Sequence, residues 1–353
     1  MGEIRIDLYS DTQTRPSMEM RLAMAHAVVG DEQRGEDPTV NCLTALVCEL
    51  LGKEDAVFLP SGTMCNEVAI LVHCKRGDAI YADRTAHIMT SEGGGPAAFA
   101  GALIRTLDGV AGVFSPSQLA DQMIEPTRYT PRPGLLSIEQ TANLGGGTIW
   151  PLPCIEDVAE IARVHGMAVH MDGARLLNAV VASGVTARDY AAPVDSVWID
   201  LSKGLGCPVG AVLAGSKPFI AKAWEWKQRM GGAMRQAGII AAAGVYALEN
   251  NVSRLAEDND KAKAFASRIA DIAGIEVDVE GVETNIVLFG TEKTGLSTAD
   301  VLRRMADRGV RLSRINTRRL RAVTHLDVSL PQVEEAAEIL AQVIGNRSPH
   351  SLA

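Results

Sequence analysis

Short apolar runs ending on Gly, Ser or Asp recur along this chain, with helix-like stretches between them. Runs of that length suit strands, and their alternation with helices places successive strands parallel in one sheet. Residues 56–59 lead into Pro60-Ser61-Gly62-Thr63, which opens an apolar-rich helix to about residue 74. Further strands are expected over 79–82, 102–105, 135–139 (after a proline-rich break at 126–133), 167–171, 196–200 and 209–214. Beyond about residue 217 the pattern changes to helices over 217–229, 235–250 and 255–273. Strands over 275–279, 285–289 and 321–324 then mix with helices over 299–308 and 331–344, and the tail from 345 is expected to fray. The spacing predicts a large α/β domain over residues 1–250 and a smaller α+β domain over 251–353.

Composition narrows the function classes. The 353 residues carry 34 Lys and Arg against 43 Asp and Glu, a formal charge of −9. That balance argues against a nucleic-acid or anionic-membrane partner, both of which call for a basic surface. No apolar run approaches the ~20 residues of a membrane span. The start, Met1 to Asp11, lacks a signal-peptide core, and Ile6 stands where a myristoylation signal wants Ser or Thr. The six cysteines form neither a CxxC pair nor a zinc-like spacing, so reduced thiols, a cytoplasmic location and no metal site are expected.

In open α/β sheets ligands bind beyond the carboxyl ends of the strands, so the residues following each strand carry the chemistry. Ser61-Gly62-Thr63 opens a helix there and suits a phosphate, although an ordinary helix cap has the same form. Asp172 ends one strand within His170-Met171-Asp172-Gly173-Ala174-Arg175. Lys203 follows a later strand within Leu201-Ser202-Lys203-Gly204-Leu205-Gly206. A lysine, an acid and a phosphate cup at three strand ends together point to pyridoxal phosphate, which requires a Schiff-base lysine, an acid for its ring nitrogen and an anion site. Gly93-Gly94-Gly95 and Gly145-Gly146-Gly147 lack the GxGxxG spacing of a nucleotide site and are expected in loops.

In these residues the chain resembles the threonine aldolases, in the β-eliminating-lyase group of fold-type I pyridoxal-phosphate enzymes. The resemblance covers nearly the whole length, in order. It runs through Asp7-Leu8-Tyr9-Ser10-Asp11-Thr12, Gly35-Glu36-Asp37-Pro38-Thr39-Val40-Asn41, Pro60-Ser61-Gly62-Thr63-Met64 and Ala86-His87-Ile88. It continues through the Asp172 and Lys203 motifs to Met234-Arg235-Gln236-Ala237-Gly238 and Arg321-Ala322-Val323-Thr324-His325.

The resemblance implies a large domain with a mostly parallel seven-stranded sheet, an N-terminal active-site segment over residues 1–20, and pyridoxal 5'-phosphate as cofactor. It implies Lys203 as the Schiff-base lysine, Asp172 as partner of the pyridine nitrogen, and His87 stacked on the ring as a candidate base. Gly62 and Thr63 would hold the phosphate, with Arg235 reaching a phosphate across a subunit boundary. Ser10, Arg175 and Arg321 would grip the substrate carboxylate. The implied reaction is retro-aldol cleavage of L-3-hydroxy-α-amino acids to glycine and an aldehyde, in a homodimer or homotetramer with shared active sites. Other reactions at Cα of the same cofactor, β-elimination among them, and a non-catalytic cofactor-binding role are the alternatives.

The chain departs from the family at four separate sites. Glu139-Gln140-Thr141-Ala142-Asn143 stands where relatives read Glu-Asn-Thr-His-Asn, so Ala142 lacks the imidazole expected near the substrate hydroxyl. Losing that ring is expected to leave room for bulky β-substituents such as the aryl group of phenylserine. Tyr9 and Arg34 replace the usual Arg and Tyr, and Gln228, between Lys227 and Arg229, replaces a phosphate-supporting lysine.

Overall fold

The computed structural model describes residues 3–124 and 127–345. Met1-Gly2, Pro126 of the proline-rich break and the tail beyond Gly345 lie outside the described residues. The chain divides into two units: Arg15–Ser253, and the residues up to Thr14 together with those from Arg254 onward.

The larger unit is built on a seven-stranded sheet. Its order is Asp55–Leu59, Ala211–Gly215, Ser196–Asp200, Ala168–Gly173, Pro133–Glu139, Ala79–Asp83 and Leu103–Leu107. Ala211–Gly215 runs against both its neighbours, and the other six strands share one direction. The expected mostly parallel seven-stranded sheet is therefore present. Strands covered on both faces are apolar throughout rather than alternating, as Val197, Ile199, Val212 and Leu213 illustrate, all of them buried.

Helices start where local chemistry satisfies their first N–H groups. Asp37 caps Pro38–Leu51 by accepting from the backbone N–H groups of Thr39 and Val40, and Pro38 stands at a position that has no partner for an N–H. The Asp37 carboxylate also accepts from Gly30 N and Gly238 N, so this motif ties three segments together. Ser61 caps Gly62–His73, and Ser216 caps Lys217–Arg229. The latter helix has the bounds read from the sequence.

The smaller unit carries a four-stranded antiparallel sheet in the order Ser313–Arg314, Arg319–Val323, Ile286–Gly290, Glu276–Val277. Helices Leu255–Ala270, Thr298–Asp307 and Leu330–Gly345 share its core with Phe265, Phe289, Leu320 and Leu340. The N-terminal segment belongs here up to Thr14. Ile6–Asp7 pairs parallel with Val310–Arg311, and Ile6 and Leu8 are buried in the same core. Two apolar side chains removed from water, at roughly 1.5–3 kcal/mol each, hold this short strand far from its sequence neighbours.

Candidate active site

The six parallel strands deliver their carboxyl ends to one edge of the sheet, and the polar residues gather there. Asp172 ends one strand, and Glu139 ends the next. Lys203 follows Ser196–Asp200, Gly62 and Thr63 follow Asp55–Leu59, and His87 lies four residues beyond Asp83.

The Asp172 carboxylate is buried and held from two sides. Oδ1 accepts from Ala174 N at 3.1 Å, and Oδ2 accepts from Asn66 Nδ2 at 2.9 Å. The same amide nitrogen donates to Glu92 Oε1 at 2.7 Å. His87 Nδ1 also reaches Glu92 Oε1, at 2.7 Å, and because a carboxylate only accepts, this ring nitrogen is the donor. His87 Nε2 is left as the ring atom that can take or give a proton. A ring nitrogen of His87 and one carboxylate oxygen each of Glu92 and Asp172 all lie within 4.8 Å of one another, with the Asn66 amide donating to both carboxylates.

One indole fixes this arrangement. Trp198 Nε1–H can only donate, and it meets Asn66 Oδ1 at 2.7 Å, which turns the amide nitrogen toward the two carboxylates. His170 Nε2, 3.1 Å from the same oxygen, must then be a donor. His170 Nδ1 accepts from Ser196 Oγ, and Ser196 accepts from His73 Nε2, both at 2.8 Å. Burial pushes the pKa of His170 down to about 3 and that of His73 to about 4, so both rings are neutral donors and acceptors. His87 differs. Burial pulls its pKa down, but the Glu92 hydrogen bond and the charges of Asp172, Glu92 and Glu139 outweigh burial, and the net direction is upward. Glu139 accepts from Asn143 N and His87 N, and burial together with the Asp172 charge raises its pKa.

Lys203 Nζ lies 2.9 Å from Asp200 Oδ2 and 5.7 Å from the Trp198 ring centroid. Trp198 also explains Gly62: a Cβ at that position would run into the far edge of the indole. Glycine at this position is therefore set by the indole packed against the start of Gly62–His73, where Ser61 Oγ accepts from Met64 N. Arg175 is buried, and one of its contacts is Asn143 Oδ1 at 3.5 Å.

Ser10 and Arg321 belong to the smaller unit. Ser10 Oγ accepts from Thr12 N at 3.2 Å, and Arg321 donates to Ser313 Oγ at 3.1 Å and to Tyr9 O at 3.5 Å. The Arg321 guanidinium and Ser10 are thus drawn to adjacent backbone. Tyr9 is half exposed, with the Arg311 guanidinium 5.1 Å from its ring centroid. Arg235 is 61% exposed and paired with Asp31 at 2.8 Å. Of the residues beside Gln228, Lys227 is fully buried in an ion pair with Glu32, and Arg229 pairs with Glu225 at the surface.

Ala142 is closed in, only 2% exposed. A Cβ placed on Gly112 would lie 2.6 Å from the Ala142 methyl, and one on Gly145 would lie 3.1 Å from it. The turn at Ala111-Gly112 packs against the small side chain, so room for a larger β-substituent requires that turn to give way.

Asn66, Glu92, Trp198 and His170 did not emerge from sequence reasoning. The available signal was the polar pair Asn66-Glu67 inside an otherwise apolar helix.

A family model described as beta-eliminating lyase matches residues 7–292. The chain belongs to the beta-eliminating lyase family. It is 42% identical over 333 residues to a low specificity L-threonine aldolase of Escherichia coli strain K12, covering 94% of this chain and 97% of that protein. It is 37% identical over 344 residues to low-specificity L-threonine aldolase 1 of Arabidopsis thaliana, covering 96% of each. Among solved structures, the Leishmania major threonine aldolase superposes with a TM-score of 0.81 at 20% identity, over 96% of this chain and 99% of that one. A Sphingomonas wittichii serine palmitoyltransferase gives 0.73 at 16% identity, over 96% and 86%. These likenesses establish the fold-type I architecture, and the family is one of pyridoxal-phosphate enzymes. The donor set suits that cofactor: a lysine amine and a buried carboxylate clamped by two N–H donors. Among the described residues no helix is long and apolar enough to cross a membrane.

Proposed function

We propose that this protein cleaves L-3-hydroxy-α-amino acids, threonine and allo-threonine among them, to glycine and an aldehyde. The reading extends to bulky or aryl β-substituents of the phenylserine type, for which the turn packed against Ala142 has to move aside. The observation that carries it is the gathering of Lys203, Asp172 and His87 at one sheet edge, in a chain whose relatives are named low-specificity threonine aldolases.

Pyridoxal phosphate, when bound, supplies a ring that accepts the electron pair of the bond broken at Cα. Lys203 would anchor it through Nζ, and Asp172, its two oxygens held by Ala174 N and Asn66 Nδ2, would partner its ring nitrogen. Gly62 and Thr63 present backbone N–H groups to the phosphate, and Arg235 serves the phosphate of a second chain in a homodimer or homotetramer. Ser10, Arg175 and Arg321 are each assigned to the substrate carboxylate, where guanidinium forks match its two oxygens. His87 Nε2 handles the proton of the β-hydroxyl, because position 142 carries only a methyl group. A cytoplasmic setting accords with six free cysteines.

Incubation with threonine, allo-threonine and phenylserine, reading glycine and aldehyde, tests the reading. Lys203→Ala is expected to abolish both the cofactor's covalent absorbance and glycine release. A keto acid with ammonia as the products would favour β-elimination, the reaction after which the family is described. A kcat/KM clearly higher for threonine than for phenylserine would sink the aryl reading. At limiting pyridoxal phosphate, mixing Lys203→Ala with Arg235→Ala chains should give more activity than either alone if sites are shared, and no gain would refute sharing.

A further inference from the structure

Three carboxyl oxygens beside the His87 cluster receive no hydrogen bond from an N–H, hydroxyl or amide group: Glu67 Oε1, Glu67 Oε2 and Glu92 Oε2. Both residues are buried. Glu67 lies on the inward face of Gly62–His73, next to Asn66, and the Glu92 carboxyl is its charged neighbour. A Cβ on Gly95 would collide with Glu67 Oε1, so the glycine loop after Glu92 is what lets the second carboxyl in. Two ionised carboxylates cannot hydrogen-bond each other, and neither has an N–H or O–H to spare for the other. One proton resolves the conflict.

We propose that Glu67 is a positioning residue, held as the neutral carboxylic acid, that donates its O–H to Glu92 and so fixes and partly neutralises the carboxylate that holds His87. Glu92 then accepts at both oxygens: from Asn66 and His87 at Oε1, and from Glu67 at Oε2. The direction of the Glu67 pKa agrees, since burial first, the neighbouring Glu92 charge second and a carboxyl–carboxyl hydrogen bond with Glu92 third all raise it. The groups that act on His87 are Glu92 from its own loop, Asp172 and Glu139 from the two adjoining strand ends, and Glu67 through Glu92. The inference deepens the proposed reaction, because it sets the basicity of the ring assigned to the β-hydroxyl proton.

The test uses the full-length protein with and without added pyridoxal phosphate, with three readouts: the carboxylic-acid C=O band in infrared difference spectra, the His87 titration by NMR, and the pH profile of kcat/KM. A neutral-pH C=O band is expected that shifts in D2O and is lost in both Glu67→Gln and Glu67→Leu. Glu67→Gln keeps a donor to Glu92 and should leave the His87 pKa within a few tenths of a unit. Glu67→Leu removes the donor, restores the full Glu92 charge, and should raise the His87 pKa by on the order of one unit. The acid limb of kcat/KM should move with it.

A fall in the His87 pKa in Glu67→Gln would mean that Glu67 is ionised, and would overturn the proposal. So would absence of the band, or a His87 pKa that tracks added K+ or Na+, which would mean that a cation rather than a proton joins the pair. The near-isosteric Gln variant and the infrared band decide the matter if the Leu variant fails to fold. Neither spectroscopic readout depends on turnover, so a failure of the aldol reading would show separately as the absence of glycine.

Discussion

Glu32 and Asp31 are adjacent in sequence, and each meets a basic residue from the stretch that ends Lys217–Arg229 and follows it. Glu32 pairs with Lys227, and Asp31 pairs with Arg235. The first pair is completely buried: Glu32 also accepts from Met234 N, and the Lys227 amine lies 4.2 Å from the Trp224 ring centroid. The second pair leaves its arginine 61% exposed. A buried ion pair must stay paired, because a lone charge in a protein interior is strongly unfavourable. An exposed pair is worth little and is easily exchanged for another partner. Lys227 is therefore committed to the fold, whereas Arg235 keeps a guanidinium available for an incoming anion. Among neighbouring basic residues, burial separates the structural cation from the one open to function.

Breaking the buried pair tests the contrast most severely. Lys227→Met should lower the unfolding free energy by about 3–5 kcal/mol in urea titrations, because Glu32 is left buried and charged. Adding Glu32→Leu should recover most of that loss. A single-variant loss below about 1 kcal/mol would place the pair with surface ion pairs instead.

Buried polar groups should also show themselves through pH. The folded pKa of His170 is depressed, so its contribution is present above pH ~6.5 and is lost as pH falls, while only the unfolded chain takes up the proton. Between pH ~6.5 and ~4.5 the wild type should lose about 2–3 kcal/mol more than His170→Asn. The raised carboxyls, Glu67 and Glu139, act in the opposite sense, losing their contribution as pH rises from ~4.5. They are common to both proteins and drop out of the difference. Parallel pH curves for the two proteins would contradict a neutral buried ring.

The exposed pair should give the smallest change in stability. Arg235→Ala should alter the unfolding free energy of the cofactor-free chain by less than about 1 kcal/mol. Pyridoxal-phosphate affinity, read by absorbance titration, should nevertheless fall about tenfold, equivalent to roughly 1.4 kcal/mol. An unchanged affinity would remove Arg235 from the phosphate.

Much of the larger unit was legible because its signals are local. Strands such as Ser196–Asp200 stop at turn residues, and Lys217–Arg229 starts at a serine cap followed by proline. Lys203 and Asp172 stood out because their place after strands is itself a sequence property. Ile6–Asp7 was not legible as part of the C-terminal unit, since its partner lies about three hundred residues away at Val310–Arg311. Nor could Ala142 reveal what adjoins it, because the glycine facing it comes from a different loop.

By itself, the sequence determined most strands of the larger sheet, the family, and that Asp172 and Lys203 lie at strand ends, because turn chemistry, caps and apolar periodicity act over a few residues. Tertiary structure alone decided which of those groups are charged, paired or available. The orientation of Asn66 depends on Trp198, 132 residues away, and the commitment of Lys227 depends on Glu32, 195 residues away. Burial and electrostatic environment are set by what packs against a side chain, and that comes from segments remote in the chain.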